Sequence, residues 1–315
     1  MGIPQIAFMA LIIVLYTFQN FFCKRFSLCY EGKDSTPVLT IVGGIIVVGV
    51  TFFFSGCVFS AQALTVILGI VNAVVLYGYN DFLLKASVSG PYSVLIVFAV
   101  FGGISVPALA KWIGFGEAMT GPAMCFLTII MVSVYLMSVK PSDENTSATN
   151  RITLKFLLYS VGLFICNGSY AAILALQQEL TGEAEKEELI MVTFAVAAII
   201  SLISLIVKKA SFKNVFRMKK SAFINLIIYA LSAAFAINSL VIILLLEVNT
   251  GVLLAVQNAG VMLVSVIFSL TFFKEKLTKM NTIGCIFMAI GLVGITVFEK
   301  ASFSEIPAMI STLLK

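Results

Sequence analysis

Ten apolar runs, each long enough to cross a bilayer, constrain this chain more than any other feature. They cover about residues 4–23, 37–56, 62–84, 90–112, 119–139, 153–175, 189–207, 222–246, 250–273 and 280–298. A helix needs roughly 20 mostly apolar residues to span the hydrocarbon core. None of the runs alternates polar and apolar between short turns, as strands of an outer-membrane barrel do. In lipid the backbone must then satisfy its own hydrogen bonds as helices. Composition enters only to exclude the alternative. With 60% hydrophobic and 11% charged residues, the chain has too little polar surface to coat a soluble domain, which carries about 25% charged residues. The expected product is an all-α membrane protein of ten transmembrane helices.

The first run has no Lys or Arg before it and continues to Phe22, with Lys24-Arg25 behind it. That order reads as a retained helix, not a signal peptide. The six cysteines show no CxxC pairing and read as small apolar filler. If the helices alternate in direction, only Lys111, Lys186, Lys300 and Lys315 of the 20 basic residues fall on one side. The other 16 share the opposite side. The positive-inside rule assigns that basic side to the cytoplasm and both termini to the outside. The basic loop KKASFKNVFRMKK (208–220) reads as a topology determinant near anionic lipid, and no nucleic-acid partner is expected.

The chain also repeats itself. The polar stretch KPSDENTSATNR divides it almost in half. This gives a first five-helix repeat at 1–139, a linker at 140–152, a second repeat at 153–298 and a tail at 299–315. GFGEAMTGPAMCFLTIIMVSVYLM (114–137) stands near the end of the first half, and FFKEKLTKMNTIGCIFMAIGLVGI (272–295) near the end of the second. Glu117 then pairs with Glu275 and Thr120 with Thr278, while Asn20 stands opposite Asn167. The threonines read as caps of the following helix, with Glu near its positive end. An odd number of helices per half inserts the second half upside down. Inverted repeats of this kind build transporters around one central site.

Polar side chains within the apolar runs are the candidate site. Tyr16 and Asn20 are i,i+4; Asn72 and Tyr79 are seven apart, with Asn80 beside them; Asn167 and Tyr170 are i,i+3. Asn238 stands alone in the eighth run, and Gln257 and Asn258 are adjacent in the ninth. At membrane depth such groups face a bundle interior or bond one helix to another. As a set they are expected to line a central cavity and bind substrate. Gly102, Gly103 and Pro107 in the fourth run suit either gating or close packing. Asp81 and Lys85 are i,i+4 and are expected to pair. No charged residue is expected deep in a helix.

The repeated five-helix unit, the Glu loop before each half's last helix, and residues 253–295 resemble the drug/metabolite transporter superfamily, and within it the EamA-type ten-helix carriers. The likeness spans the chain and is diffuse. It implies two inverted five-helix repeats around a central cavity in a multi-pass cell-membrane protein, with the bacterial cytoplasmic membrane expected. It also implies export of small metabolites such as amino acids. Nucleotide-sugar carriers and drug exporters share the architecture. The first helix carries Gln19 and Asn20 where the four-helix multidrug members have an embedded Glu. The resemblance further implies cytoplasmic termini, against the charge count.

The expected function is therefore a secondary transporter, an alternating-access permease for a small polar metabolite, as monomer or homodimer. The chain contains no GxxxxGK[ST] loop for ATP. It has no His, and no carboxylate cluster within the membrane runs, so neither an enzyme nor a cofactor or metal is expected. A non-transporting scaffold or subunit is the rival from another class.

Overall fold

The computed structural model describes residues 3–115, 121–138, 153–181, 185–244, 250–274 and 278–297. Among these residues the chain is all-α. Ten long helices follow the ten apolar runs: α1 Ile3–Cys29, α2 Ser35–Phe54, α3 Ala63–Ser89, α4 Tyr92–Phe115, α5 Gly121–Ser138, α6 Leu154–Thr181, α7 Lys186–Val207, α9 Lys220–Leu244, α10 Thr250–Phe272 and α11 Lys279–Val297. A single turn, α8 (Phe212–Val215), interrupts the basic loop. Six helices, α1, α2, α3, α6, α7 and α9, contain segments long and apolar enough to cross a membrane. Their outward faces are oily: on α7, Ile199, Ile203 and Ile206 are each more than half exposed. Spaced i, i+4, i+7, they form a stripe suited to lipid and not to water.

Three helices outrun their apolar segments. α1 continues six residues past the expected end, α3 five and α6 six. Hydropathy stops at the first charge, whereas helix propensity does not, since Lys, Arg, Gln and Leu all favour helix. One consequence corrects the sequence reading. Lys24 is not a loop residue but lies within α1, only 4% exposed, and Lys186 in the first turn of α7 is 7% exposed. Among the described residues, charge is therefore buried at these two helical positions.

The helices pack in a definite pattern. α1 packs on α9 and α6 on α3; α4 packs on α6 and α1 on α10; α2 packs on α9 and α7 on α3. α2 packs on α7, α4 on α10 and α5 on α11. Glycines allow the closest approaches. A Cβ on Gly102 of α4 would sit 2.1 Å from the Phe164 carbonyl oxygen of α6, and one on Gly44 of α2 would sit 2.8 Å from that of Phe194 on α7. Thr278 caps α11: its Oγ1 accepts from the Asn281 N–H at 3.1 Å, and its own N–H donates to Asn281 Oδ1 at 3.1 Å. That reciprocal pair is a capping box. Glu117, Thr120, Glu275, the linker 140–152 and the tail 299–315 lie outside the described residues.

Polar bonds tie helix ends into two groups. Thr36 at the start of α2 donates to Asp81 near the end of α3 at 2.9 Å, and Lys85 completes the expected i,i+4 pair with Asp81 at 2.5 Å. Lys219 before α9 meets Glu31 after α1, and Lys208 after α7 meets Asp34 before α2. These ends carry the basic loops. At the other end, Glu185 before α7 accepts from Thr65 Oγ1 at 2.5 Å and from the Gln62 N–H at 3.1 Å, both at the start of α3.

Candidate functional site

Four helices bring polar side chains together near the middle of the bundle. α1 presents Tyr16, Gln19 and Cys23 on one face at i, i+3 and i+7. Tyr79 of α3 lies within electrostatic range of Cys23 and Tyr16, and Tyr170 of α6 within range of Tyr16 and Tyr79. Tyr229 of α9 approaches Cys23, Tyr79 and the Gln19 amide. Tyr79 and Tyr170 also rest on the same apolar patch of Ala73, Leu76 and Ala197. Tyr16, Gln19, Tyr79 and Tyr170 nevertheless remain partly exposed. That residual exposure falls on α1, α3 and α6 at one level of the bundle.

Several polar atoms here have no protein partner. Gln19 Oε1 and the Tyr170 hydroxyl are buried without a hydrogen bond, as are Asn72 Oδ1 and Gln257 Oε1. An unsatisfied buried polar group costs about 1–3 kcal/mol. Such atoms are the exception in native structures and call for a reason.

The asparagines behave differently. Asn80 Nδ2 donates to Thr40 Oγ1 of α2 at 3.1 Å, and its Oδ1 accepts from the Tyr229 hydroxyl at 3.4 Å. Asn238 Nδ2 donates to Thr51 Oγ1 of α2 at 3.0 Å and to the Ala234 carbonyl at 2.8 Å. Asn167 Nδ2 donates to the Ala99 carbonyl of α4 at 2.6 Å. Asn72 Nδ2 reaches Thr193 Oγ1 of α7 at only 3.5 Å. These four side chains bond helix to helix, and threonines on α2 and α7 are their commonest partners. Asn20 and Asn258 are partly buried, on α1 and α10. Gly102 and Gly103 carry the close approach of α4 to α6, with Asn167 Nδ2 against Gly103. Pro107 lies inside α4 one turn on, where it withholds one backbone N–H from the helix.

Around these tyrosines and toward the basic loops, apolar side chains fill the bundle. One continuous core joins Cys23, Phe26 and Tyr30 of α1 to Leu83 and Leu84 of α3. It continues through Tyr92–Phe101 of α4, Phe156 of α6, and Leu226 and Tyr229 of α9. Rings zip α1 to α10: Phe21 meets Phe268, Phe272 and Phe273 at 5.2–5.3 Å. Lys24 sits inside this layer, its Nζ 4.3 Å from the Phe273 ring centre and 5.4 Å from that of Tyr92. Tyr92 and Phe273 themselves are 5.3 Å apart, so α1, α4 and α10 meet around one ammonium. Tyr30 donates its hydroxyl to the Val215 carbonyl at 2.9 Å, tying α8 across the same end.

Sequence reasoning left Gln19, Cys23, Tyr229 and Lys24 out of the candidate set. The first two were legible as the continuation of the Tyr16 face of α1. Tyr229 offers no such pattern, and Lys24 was masked by the assumption that α1 ends at the first charge. Among the described residues no group of three or more His, Cys, Asp or Glu side chains is placed to hold a metal.

No protein-family model matches the chain. No curated protein matches it either. Solved structures do: 27 chains match, one of them the crystal structure of a protein that superposes with a TM-score of 0.65 over 95% of this chain and 99% of its own length. At 11% identity that likeness speaks for the fold alone.

Proposed function

We propose that this chain is a secondary transporter of the ten-helix drug/metabolite type, moving a small polar metabolite such as an amino acid by alternating access, in the direction of export. The observation that carries the reading is the cluster of Tyr16, Gln19, Tyr79 and Tyr170 at mid-bundle, which keeps residual exposure above a ring-packed end and which we read as a cleft. A site sealed from one side only is what alternating access requires.

The helix pairing supports an inverted repeat. Exchange α1–α5 with α6, α7, α9, α10 and α11 in order. The pair α1–α9 then becomes α6–α3, α4–α6 becomes α10–α1, and α2–α9 becomes α7–α3, while α2–α7, α4–α10 and α5–α11 map onto themselves. Three pairs break the exchange: α3–α4 and α6–α7 have no comparable α9–α10 and α1–α2 contacts among the described residues, and α1–α3 is the most extensive of the three. α1 touches α3, whereas its counterpart α6 has no comparable contact with α9 among the described residues. Two-fold halves that differ at equivalent contacts fit one of two alternative states. Here the basic end is closed, so with that end cytoplasmic the cleft faces outward. In the opposite state α6 would close on α9, and α1 would part from α3.

The four interhelical asparagine bonds favour the second reading, a non-transporting scaffold. Solute counterflow in proteoliposomes separates the two. The transporter accelerates exchange of a labelled amino acid or related polar solute, and Tyr79→Ala abolishes it in protein that still elutes as folded. A scaffold shows no counterflow with any solute class.

A further inference from the structure

We propose that the basic end carries a docking surface for anionic phospholipid headgroups, built by the loop between α7 and α9. Such a surface serves a carrier and a scaffold alike, so it does not depend on the transporter reading. The flanks of the loop place it at the edge of the bilayer. Ile206 and Val207 just before it are more than half exposed, and so is Phe223 just after it. Those apolar surfaces belong in lipid, so residues 208–220 between them stand where hydrocarbon gives way to headgroups. The loop contains no acidic residue. Lys209, Arg217 and Lys220 are exposed and form no ion pair among the described residues.

A topology determinant needs only charge, but this loop is also folded. Ala210, Val215 and Met218 pack on the bundle core, and the Val215 carbonyl accepts from the Tyr30 hydroxyl at 2.9 Å. Lys208 meets Asp34 at 3.6 Å, and Lys219 meets Glu31 at 2.5 Å. Glu31 and Asp34 are three residues apart, a span of at most about 10 Å. Both ends of the loop are therefore gathered over the short α1–α2 connection, which brings Lys209 to the same side as Arg217 and Lys220. The turn out of α7 fixes the first of these cations. The Ala210 N–H donates to the Leu205 carbonyl at 3.0 Å and the Lys209 N–H to that of Ile206 at 2.9 Å, with Lys209 at φ +51°. That is a Schellman turn with Lys in the place where Gly is usual. Between the cations, α8 exposes Phe212 and Phe216, one turn apart. Rings at the hydrocarbon boundary beside cations among headgroups are how interfacial segments hold a membrane surface. A surface already ordered loses little freedom on binding, which favours a defined contact over a diffuse one. An anionic lipid answers both the rings and the charge, whereas a soluble anion answers only the charge.

The test is tryptophan fluorescence of the full chain in nanodiscs of mixed phosphatidylcholine and phosphatidylglycerol, with quenching bromine on the chains of one lipid at a time. Trp112→Phe removes the one native Trp, and Phe216→Trp installs a reporter. Phe212→Trp is a second reporter, in case the first disturbs the loop. At either, phosphatidylglycerol should be preferred about five-fold or more, since each basic residue at an anionic surface adds roughly five-fold. Lys209→Gln, Arg217→Gln and Lys220→Gln together should bring that preference within about two-fold of none, in protein that elutes as before. Phe53→Trp, at an exposed position of α2 toward the other end, should show no preference. Equal quenching by the two lipids at both loop reporters would overturn the proposal, as would a preference that survives the triple variant or recurs at Phe53→Trp. Inorganic phosphate and polyglutamate, each at matched ionic strength, should leave the preference intact. Its loss to either would assign the surface to a soluble anion or an acidic protein instead.

Discussion

The two ends of the bundle are made of the same apolar helices, yet they are packed differently. From the basic end one core runs through α1, α2, α3, α4, α6 and α9 and, at mid-helix, on to Ile130 of α5, Met262 of α10 and Met288 of α11. At the other end the described residues form three small clusters: Val47 with Ile190 and Ala233, Met9 with Ile12, and Ala73 with Leu76 and Ala197. Aromatic rings make the difference. Phe21, Phe26, Tyr92, Phe156, Phe268 and Phe273 all lie toward the basic end, where their bulk fills the space between helices. In a bilayer, apolar surface gains little by leaving lipid for protein, so packing and polar bonds decide which end closes. The lesson is that closure here is a local property of ring-filled interfaces and not of hydrophobicity, which is spread evenly.

The largest expected effect breaks the packed end directly. Phe26 is fully buried, and Phe26→Ala should cost about 3–5 kcal/mol. Leu240, which packs on the small Met9–Ile12 cluster, should cost far less as Leu240→Ala. Thermal unfolding in one lipid composition measures both. Equal losses would mean that the two ends are equally packed in the membrane.

A smaller effect sharpens the comparison through Lys24. An ammonium between two rings is worth about 0.5–2 kcal/mol. Cys23 beside it is fully buried and free, so its alkylation by a maleimide reports opening of the basic end. Lys24→Met should raise that rate several-fold, with exposed Cys57 as the unaffected control. An unchanged Cys23 rate would show that the rings alone hold the end shut.

Next comes the scaffold that both ends share. Asn238→Leu removes two hydrogen bonds between and within α9 and α2, worth about 0.6–2 kcal/mol together. The Tm should fall modestly while Cys23 labelling stays as in the wild type, because the Thr51–Asn238 bond lies at the end away from Cys23.

The smallest effect is at the loosely packed end. Hydrogen bonds from Thr65 and from the Gln62 N–H hold the Glu185 carboxyl below the usual carboxylate range. A depressed folded-state pKa adds stability above the unfolded-state value, and that stability is lost as pH falls through the folded-state value. Glu185→Gln should be slightly less stable at neutral pH and should lack this acid-side loss, read as Tm against pH. Glu185 also sits at φ +68°, a left-handed conformation that favours Gly or Asn.

The sequence by itself determined the helices. Ten apolar runs in lipid leave the backbone no alternative, and every run became a helix with ends near those expected. Where the ends differ, as at Lys24 in α1, hydropathy had stopped counting before helix propensity did. Sequence also held the pairing of Asp81 with Lys85 and the cap at Thr278, because both act within one turn. It named Tyr16, Tyr79 and Tyr170 by their faces, although meeting across α1, α3 and α6 is a three-dimensional fact. Only the tertiary structure decided which amides bond helices and which keep a free oxygen. Asn80, Asn167 and Asn238 look like Asn72 in one dimension. Each one's partner, a threonine or a carbonyl, comes from a helix distant in the chain. The closed end is likewise a tertiary decision, since it depends on rings from α1, α4 and α10 arriving at one height.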